Sequence, residues 1–384
     1  TPIRRLPFGC YYIPVLIIAF AGLIDSIYLA VSHYRVHADL GYSSFCAVSR
    51  ALNCDTVSSS SYAVFMGIPV AVWGAIGYAA IIFVLVLAGN RKAQKQRMWP
   101  LLFWVSVGFS LCSLLLAAVS TFLINSYCIM CIFTYLVNFA LLYYAWFINK
   151  RFGDVGLFKG FIMDLKFLWS RKTATIPVAV AFLIFVSGLG FAMPEYWQMK
   201  PPPLDQTLPR GVTEKGHPWI GAKEPELVIE EFTDYLCTQC RIKHFYLRRL
   251  LTEHPEKIRL IHRHFPMDHK FNPQVKEPYH KGAGMLAIIS IYAQKQGKFW
   301  EANDMFFQMN KSISAINTKT IADKLELEPK GVAYAGNDRS ILYHLQKDIE
   351  KGLKLGFTGT PGYVVNGKTF QGRIPPRILK TILQ

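Results

Sequence analysis

The stretch Tyr127-Cys128-Ile129-Met130-Cys131-Ile132-Phe133-Thr134-Tyr135 decides the architecture of this 384-residue chain. It opens an apolar run of about 20 residues, which is long enough to cross a bilayer as a helix. Two cysteines therefore lie at the first turn of a predicted membrane helix, next to one water interface. A second pair of the same spacing, Cys237-Thr238-Gln239-Cys240, lies far downstream in a polar segment. The rest of the sequence is best understood from these two pairs outward.

Composition places part of the chain in a membrane. Hydrophobic residues make up 52% of the sequence and aromatic residues 14%. The net charge of +17 is compatible with nucleic-acid binding. However, the lysines and arginines cluster beside apolar runs, and the sequence has no nucleic-acid recognition motif. We therefore predict the lipid bilayer as a partner and no nucleic acid.

Five apolar segments each have about the length that spans the hydrocarbon of a bilayer. They are Tyr11–Val31, Ile68–Ala88, Trp99–Ile124, Cys128–Ile148 and Thr175–Met193. Basic residues precede the first segment and fill the gaps after the second and the fourth. The positive-inside rule therefore puts these three basic stretches in the cytoplasm. No small-residue cleavage site follows the first run, so we expect it to be a retained span and not a cleavable signal peptide.

Six of the eight cysteines form three pairs along the sequence, namely Cys46/Cys54, Cys128/Cys131 and Cys237/Cys240. Five spans leave the loop His33–Met66, the turn Asn125–Tyr127 and the C-terminal half on the outer side. Every paired cysteine then faces the oxidising compartment. We predict a multi-pass protein of the inner (cytoplasmic) membrane, with its cysteine pairs on the periplasmic or extracellular side.

The C-terminal half has the pattern of an α/β domain. Leu157–Trp169 predicts an amphipathic helix in the cytoplasmic interface, and Lys200-Pro201-Pro202-Pro203 predicts a stiff linker. Globular composition begins at about Leu204. The predicted elements are strands at Glu226–Phe232 and Lys257–Phe265, a helix at Thr238–His254, a largely helical insert at Tyr279–Leu327, a helix at Asp338–Leu355, a hairpin around Asn366-Gly367 and a final helix at Pro375–Leu383.

The pair Cys237/Cys240 follows a predicted strand and opens a predicted helix. A helix N-terminus presents unpaired N–H groups and a partial positive charge, both of which stabilise a thiolate. Cys237 is therefore the candidate nucleophile, and Cys240 the candidate resolving cysteine. The alternative is half of a zinc site, which needs four ligands and for which His244 and His264 are candidates.

The segment Gly359-Thr360-Pro361-Gly362 places a proline directly before a predicted strand. A cis X–Pro bond is rare and usually serves a specific purpose. Here it would bring a backbone edge against the cysteine pair, where a substrate peptide could pair in extended form. The alternative is a simple turn proline.

Three segments together resemble the thioredoxin-fold, DsbA-like disulfide oxidoreductases. They are Phe232-Thr233-Asp234-Tyr235-Leu236-Cys237-Thr238-Gln239-Cys240, Arg263-His264-Phe265-Pro266 and Gly359-Thr360-Pro361-Gly362-Tyr363-Val364-Val365-Asn366-Gly367. The resemblance covers about residues 205–384. It implies that Cys237 attacks, that Cys240 resolves and that Pro361 is the cis proline. Thr238 and Gln239 differ from the Pro-His of the strongly oxidising type, so the redox potential stays open.

The membrane half resembles the vitamin K epoxide reductase family, and specifically the bacterial fusions of that domain to a thioredoxin-like one. The matching features are Cys46-Ala47-Val48-Ser49-Arg50-Ala51-Leu52-Asn53-Cys54, Val57, the serines Ser58–Ser61, Gly67-Ile68-Pro69, and Cys128-Ile129-Met130-Cys131 with Tyr135. They cover about residues 10–150. The family implies a four-helix bundle around a quinone, with a fifth span leading to the partner domain.

The resemblance also assigns roles at the membrane pair. Cys131 is implied to react with the ring of a quinone, ubiquinone or menaquinone, and Cys128 to receive electrons from the loop. Tyr135 follows Cys131 by four residues and lies on the same helix face. Its hydroxyl could donate to a quinone carbonyl, although a packed tyrosine is the alternative. Phe65, just before the second span, is a weaker candidate for the wall of the ring site.

Two features of the membrane half each allow two interpretations. The polar loop that holds Cys46 and Cys54 can swing between the soluble domain and Cys128, or it can be stapled by a static disulfide. Asp25 is an acid inside the first span, and such carboxylates usually face the protein interior. It could assist proton uptake or simply bond to a neighbouring helix.

The sequence thus predicts a membrane α-helical fold, a four-helix bundle plus a fifth transmembrane helix, with a C-terminal α/β thioredoxin-fold domain carrying a helical insertion. We expect a quinone-reducing domain at 1–150, an interfacial helix, fifth span and linker at 151–203, and a DsbA-like domain at 204–384.

The expected function is disulfide formation in reduced exported or periplasmic proteins. Electrons would pass through the loop cysteines and the membrane pair to a membrane quinone, using redox-active disulfides and no metal. One alternative is an outward-directed disulfide reductase or isomerase. Another is a non-catalytic membrane receptor stabilised by zinc.

Overall fold

The computed structural model describes residues 7–39, 42–47, 52–89, 98–170, 172–197, 207–309, 317–375 and 377–379. The chain separates into two compact units. The first comprises Thr1–Val36 with Ser44–Trp197, and the second comprises His37–Ser43 with Gln198–Gln384.

Long apolar helices form most of the first unit. In chain order its helices are α1 (Gly9–Ala38), α2 (Cys54–Ser58), α3 (Val70–Gly89), α4 (Trp99–Val119), α5 (Ile129–Phe152), α6 (Leu157–Ser170) and α7 (Lys172–Ala192). Two short strands, β1 (Val64–Phe65) and β2 (Ile68–Pro69), pair antiparallel just before α3. A π-helical turn at Ser120–Ile124 ends α4.

The predicted membrane spans all fall on helices. Gly9–Ala38, Trp99–Ile124 and Ile129–Phe152 are long and apolar enough to cross a membrane, which confirms the first, third and fourth predicted spans. The apolar part of α3, Val70–Val86, is shorter. The fifth predicted span coincides with the 21 residues of α7. The second and fifth crossings therefore stay predictions.

Buried side chains on four helices meet in one apolar core, as a four-helix bundle requires. Each helix contributes residues three or four positions apart, which places them on one face. They are Val15 and Ala19 of α1, Tyr78, Ile81 and Leu85 of α3, Trp99 and Leu102 of α4, and Val137, Leu141, Ala145 and Ile148 of α5.

Polar bonds join three of these helices inside the bundle. The Tyr78 hydroxyl donates to Asn138 Oδ1 at 2.6 Å, and Asn138 Nδ2 donates to Ser113 Oγ at 2.9 Å. Gly22 lets α1 approach Tyr78, since a Cβ there would lie 2.4 Å from the ring. Buried polar groups stabilise a bundle only when they are paired, and this chain of bonds pairs them.

The predicted helix at Leu157–Trp169 is present as α6, and its place in the membrane interface stays a prediction. Its Asp164 carboxylate is buried and accepts the N–H of Leu101 at 3.3 Å. That N–H belongs to the first turn of α4, where the helix itself offers no acceptor. Gly160 lies against Pro100, so α6 covers the start of α4. Phe158 and Trp169 remain exposed on the outer face.

The second unit is a mixed sheet covered by helices. Its elements are β3 (Arg210–Val212), β4 (Pro218–Gly221), β5 (Leu227–Thr233), α8 (Thr238–Glu253), β6 (Ile258–His264), α9 (Ala283–Lys295), α10 (Phe299–Gln308), α11 (Thr318–Leu325), α12 (Pro329–Tyr334), α13 (Arg339–Lys354), β7 (Gly362–Val365) and β8 (Lys368–Gln371). The strand order is β3-β4-β6-β5-β7-β8. Only β5 and β6 pair in parallel, from Leu227↔Ile258 to Thr233↔His264, among the described strands.

This topology places the cysteine pair at one end of the central strand. The helix α8 connects the parallel strands β5 and β6, as such a pair requires, and it begins five residues after β5 ends. The predicted hairpin is confirmed, with Asn366 and Gly367 both at positive φ between β7 and β8. The short strands β3 and β4 were not predicted. The linker Lys200–Pro203 and most of the predicted final helix lie outside the described residues.

Candidate functional site

The membrane cysteine pair is formed by the start of α5. Asn125, in the left-handed region at φ 54°, ends the preceding π-turn and reverses the chain. Cys128 is then the N-cap of α5, and its Sγ accepts the N–H of Cys131 at 3.1 Å. The two cysteines are joined as a disulfide, with 5.1 Å between their Cα atoms. The predicted position at a helix N-terminus is confirmed.

The loop cysteines form a second disulfide. Cys46 and Cys54 are bonded, with 5.7 Å between their Cα atoms. Asn53 caps α2 by accepting the Thr56 N–H at 3.1 Å, which fixes Cys54 as the first residue of that helix. The Asp55 carboxylate accepts the Ser44 N–H at 3.2 Å and holds the other end of the loop.

The two disulfides are brought together in one buried cluster. Cys46, Cys54 and Cys128 are 0%, 3% and 3% exposed, and Cys131 packs beside them partly buried. The Asn53 N–H donates to the Tyr127 carbonyl at 2.9 Å, so the segment before Cys54 is tied to the segment before Cys128. Thiol–disulfide exchange requires sulfur-to-sulfur contact, and this packing supplies the proximity from which it starts.

The predicted quinone contacts have different surroundings. Tyr135 is half-buried on α5, one turn after Cys131. Phe65 is 61% exposed, and its carbonyl accepts the Trp73 indole N–H at 3.0 Å. Tyr135 is thus next to the cysteine pair, whereas for Phe65 the described contacts give no direct link to it.

Asp25 is buried between α1 and α5. Its carboxylate accepts a hydrogen bond from the Thr134 hydroxyl, and Thr134 lies three residues beyond Cys131. The second carboxylate oxygen has no hydrogen-bond partner within the described part of the chain. The bond to a neighbouring helix that the sequence allowed is therefore present. A role in proton uptake stays a prediction.

The second cysteine pair repeats the same local geometry. Cys237 is the N-cap of α8, and its Sγ accepts the Cys240 N–H at 3.4 Å. Both thiols are free in this structure. Cys240 is fully buried, whereas Cys237 is partly exposed. A nucleophile that reaches solvent with a buried partner behind it is the arrangement expected of an attacking and a resolving cysteine.

The two thiols have opposite acidities. The hydrogen bond from the Cys240 thiol lowers the pKa of Cys237 to about 6, with further help from His280 and the Cys240 backbone N–H. Burial raises the pKa of Cys240 well above its ordinary value. Near neutral pH, Cys237 is therefore the thiolate and Cys240 the thiol. Because the thiolate is the reactive form of a cysteine, Cys237 is the nucleophile of the pair.

The Thr360–Pro361 peptide bond is cis, as predicted. The Cys237 Sγ lies 3.6 Å from the Thr360 carbonyl oxygen, to which it can donate when the thiol is protonated. The backbone that leads into β7 therefore lies beside the attacking sulfur. An extended peptide that paired with this edge would present its own cysteine to Cys237.

Two residues at this site were not assigned a role from the sequence. Asp234 is buried three residues before Cys237, and His280 Nδ1 lies 2.8 Å from its Oδ2. Asp234 also accepts the backbone N–H groups of Leu236 and Met267, each at 2.7 Å. The local signal was an acidic residue between a strand and a CxxC motif, but nothing in the sequence pairs it with a histidine 46 positions away.

The histidines proposed for zinc lie elsewhere. His244 contacts Glu231 at 2.6 Å, and the His264 backbone N–H donates to Asp348 at 3.0 Å. Among the described residues, the groups whose geometry could hold a metal are two, Glu231/His244/His262 and His217/His344/Asp348, and neither contains a cysteine. This arrangement gives no support to a zinc site built on Cys237 and Cys240.

Two family models match the chain. Residues 13–146 match the model described as the vitamin K epoxide reductase family. Residues 228–384 match the model described as the DSBA-like thioredoxin domain. The first match contains both disulfides of the buried cluster, and the second contains the pair at the start of α8 together with Pro361.

Similar proteins share only parts of their length with this chain. The Na(+)/H(+) antiporter NhaA 3 of Salinispora tropica is 24% identical over 152 residues, which are 40% of this chain and 22% of that protein. The Na(+)/H(+) antiporter NhaA of Herminiimonas arsenicoxydans is 21% identical over 234 residues, 60% of this chain and 35% of that protein. The chain thus spans between about a fifth and a third of the length of these curated relatives.

Solved structures resemble less than half of the chain. A thioredoxin-like oxidoreductase from Silicibacter pomeroyi DSS-3 has 22% identity and a TM-score of 0.37, covering 44% of this chain and 91% of that one. Wolbachia pipientis alpha-DsbA1 has 18% identity and a TM-score of 0.36, covering 44% and 91%.

Proposed function

Because the chain joins a vitamin K epoxide reductase family domain at residues 13–146 to a DSBA-like thioredoxin domain at residues 228–384, we propose that it is a membrane thiol–disulfide oxidoreductase. In this proposal it forms disulfides in exported proteins and passes the electrons to a membrane quinone. The observation that supports it most is the burial of Cys46, Cys54 and Cys128 in one cluster with Cys131 beside them.

The first step takes place at Cys237. A substrate thiolate attacks the Cys237–Cys240 disulfide at Cys237 Sγ, and Cys240 leaves as a thiolate that takes up a proton. The second substrate thiol then attacks, as its thiolate, the first substrate sulfur of the mixed disulfide. Cys237 leaves as a thiolate. The substrate gains one disulfide, and the pair gains two electrons. The low pKa of Cys237 makes it a good leaving group in this second attack.

The second step returns Cys237 and Cys240 to the disulfide. The Cys237 thiolate attacks the Cys46–Cys54 disulfide, and Cys240 resolves the mixed disulfide, so the loop pair becomes a dithiol. That dithiol then reduces the Cys128–Cys131 disulfide by the same exchange. Each transfer moves two electrons and conserves the number of S–S bonds.

The final step leaves the protein at Cys131. Apolar side chains are accessible around the start of α5, where Ile129, Ile132 and Phe133 are about 40% exposed, and an apolar surface suits a lipid-borne ring. When bound, a ubiquinone or menaquinone supplies an acceptor for two electrons and two protons. With a quinone bound, Cys131 would be the cysteine that donates the electrons, Cys128 would close the disulfide with it, and Tyr135 would orient a carbonyl oxygen. Phe65 remains a second, weaker contact.

We also propose that three parts of the chain have separate tasks and that all cysteine pairs lie on one side of the membrane. Residues 1–150 reduce the quinone, residues 151–203 hold the interfacial helix, the fifth span and the linker, and residues 204–384 act on protein substrates. All three cysteine pairs face the periplasm or the exterior, as the basic residues between the spans favour.

An outward-directed reductase or isomerase is the second candidate function. The same exchanges run backward if electrons enter at the membrane pair. The depressed pKa of Cys237 favours the oxidising direction, because a stabilised thiolate stabilises the reduced pair and so makes its disulfide a stronger oxidant. A Cys237/Cys240 pair that is mostly reduced in cells would favour the reductase.

Cysteine variants of the full chain test the relay. We expect Cys131→Ala to reduce quinone consumption to background with a small dithiol as donor. We expect Cys237→Ala to retain that reaction and to lose the oxidation of a reduced protein substrate. Both are followed in membranes, by quinone absorbance and by thiol titration.

The free cysteine Cys112 is exposed and belongs to neither disulfide, so Cys112→Ala is the matched control and should retain both activities. Quinone reduction at the unaltered rate by Cys131→Ala would refute the relay.

A further inference from the structure

An acid–base pair next to the attacking cysteine exchanges no electrons in the relay described above. His280 Nδ1 lies 2.8 Å from Asp234 Oδ2. The Asp234 side chain is fully buried, and the His280 side chain is 15% exposed. His280 belongs to the long connection between β6 and α9, and Asp234 to the turn between β5 and α8.

Asp234 has a fixed orientation next to Cys237. Its carboxylate accepts the N–H groups of Leu236 and Met267, and its own carbonyl accepts the Cys237 N–H at 3.1 Å. These bonds fix the carboxylate in the turn that leads into Cys237. A nearby negative charge disfavours ionisation of a thiol, so Asp234 alone works against the Cys237 thiolate.

His280 supplies the opposing charge. A protonated imidazole on the carboxylate neutralises it and adds a donor at a fixed place. The charge of His280 lowers the pKa of Cys237, and the charge of Asp234 raises it. The His280 imidazole ring stacks on the Tyr279 ring, with 4.0 Å between the ring centroids and 18° between the ring planes, and this contact limits its rotation.

The cysteine motif itself brings no cation. Its two central residues are Thr238 and Gln239, both neutral. The groups near His280 in the same connection are already engaged, because the Asp268 carboxylate accepts the Gly282 N–H at 3.0 Å and lies 3.5 Å from His269. Among the described residues, the titratable groups that interact with His280 include Asp234, Cys237 and Tyr279, and the charged residues Lys276, Glu277 and Lys281 lie close to it in the sequence.

We propose that His280 is a positioning residue for Cys237. The imidazolium of His280, held by Asp234, stabilises the attacking thiolate of Cys237. In the electron balance, two electrons and one proton convert the Cys237–Cys240 disulfide into a Cys237 thiolate and a Cys240 thiol. The substrate dithiol supplies both, and its second proton passes to solvent. A stabilised thiolate makes this half-reaction more favourable. The meaning of this role rests on the proposed function, although its test does not.

The test measures the acidity of Cys237 in the full-length protein. The detergent-solubilised chain is reduced with a phosphine and treated with iodoacetamide at a series of pH values, and the peptide that contains Cys237 is quantified by mass spectrometry. We expect His280→Gln to raise the apparent pKa of Cys237 by about one unit, which lowers its alkylation rate at pH 6 about fivefold. His280→Lys, which keeps a cation beside Asp234, should restore most of the rate.

His269→Gln is the matched control, since His269 lies in the same connection but faces Asp268. It should leave the rate of Cys237 unchanged. Alkylation of His280→Gln at the unaltered rate, or an equal fall in His269→Gln, would overturn the proposal. Neither substrate nor quinone enters this measurement, so it can fail while the relay experiment succeeds, and the reverse also holds.

Discussion

The acidity of a single sulfur determines how the soluble pair behaves with pH. Cys237 has a pKa of about 6 against an ordinary value of 9.0, while Cys240 titrates well above that value. Between these limits the reduced pair holds one proton and not two. The reduced protein therefore holds fewer protons than its unfolded chain from about pH 6 to about pH 9. The lowered pKa of Cys237 therefore adds to the free energy of unfolding of the reduced protein. This contribution of Cys237 is fully present above about pH 9 and is lost as the pH falls through about 6.

This proton count predicts the pH dependence of the redox potential of Cys237/Cys240. Below pH 6 the potential should fall by ~59 mV per pH unit, and above pH 6 by ~30 mV, because one proton then accompanies two electrons. The measurement is the redox state of the pair in glutathione buffers from pH 5 to pH 8, read by trapping and mass spectrometry. A constant slope of ~59 mV across this range would contradict the assigned acidity.

At the level of elements, two helix N-termini hold the closely spaced cysteine pairs Cys128/Cys131 and Cys237/Cys240. Both α5 and α8 begin with a cysteine as N-cap whose Sγ accepts the N–H of the second cysteine. The small helix α2 has a different cap, Asn53, and this cap orients Cys54. The strength of that cap should therefore control how readily the loop disulfide opens.

Asn53→Ala tests this dependence. Loss of the bond to the Thr56 N–H should cost about 1 kcal/mol of local stability, and the Cys46–Cys54 disulfide should then be reduced by dithiothreitol about five times faster. The rate is measured by thiol trapping of the full-length protein.

Asn317→Ala provides the matched control for this prediction. Asn317 caps α11 in the same way, by accepting the Lys319 and Thr320 N–H groups, but it lies outside the first unit. We expect it to weaken α11 and to leave the reduction rate of Cys46–Cys54 unchanged. Equal reduction rates in wild type and Asn53→Ala would exclude control by the cap.

The elements with strong periodic signals could be predicted from the sequence, and those fixed by distant contacts could not. Continuous apolar runs identified the helices of the bundle, and Asn366-Gly367 identified the hairpin. The helix α1 extends beyond Val31 to Ala38 because polar residues continue it past the apolar run. The strands β3 and β4 are three and four residues long and gain their stability from pairing with each other and with β6.

The same limit applies to the candidate sites. Cysteine spacing identified all three pairs, and the disulfides at Cys46/Cys54 and Cys128/Cys131 are present. The contact between Asp234 and His280 could not be predicted, since His280 lies in an irregular connection without a periodic signal. For Phe65, an aromatic residue before a span was a weak signal, and its exposed side chain leaves that prediction untested.

At the scale of the whole molecule, the predicted topology can be tested by labelling. In intact bacterial cells, a membrane-impermeant maleimide should label Lys330→Cys in the C-terminal domain. It should label Lys166→Cys in α6 only after permeabilisation, because the basic residues around α6 favour the cytoplasm. Both positions are exposed to solvent or lipid in their own units.

The unaltered chain, with its native cysteines, gives the background for this labelling. Equal labelling of both variants in intact cells would place α6 and the C-terminal domain on one side of the membrane. The relay could not then operate with the sidedness proposed for it.

The buried cluster of Cys46, Cys54 and Cys128 makes its disulfides depend on a local opening of the loop. Sulfur atoms that are shielded from water react slowly with thiols of any size while the loop stays closed. Opening of the loop is therefore the event that admits a thiol, small or protein-borne, to these sulfurs. The frequency of that opening then limits how fast soluble thiols of the same compartment can reduce the cluster.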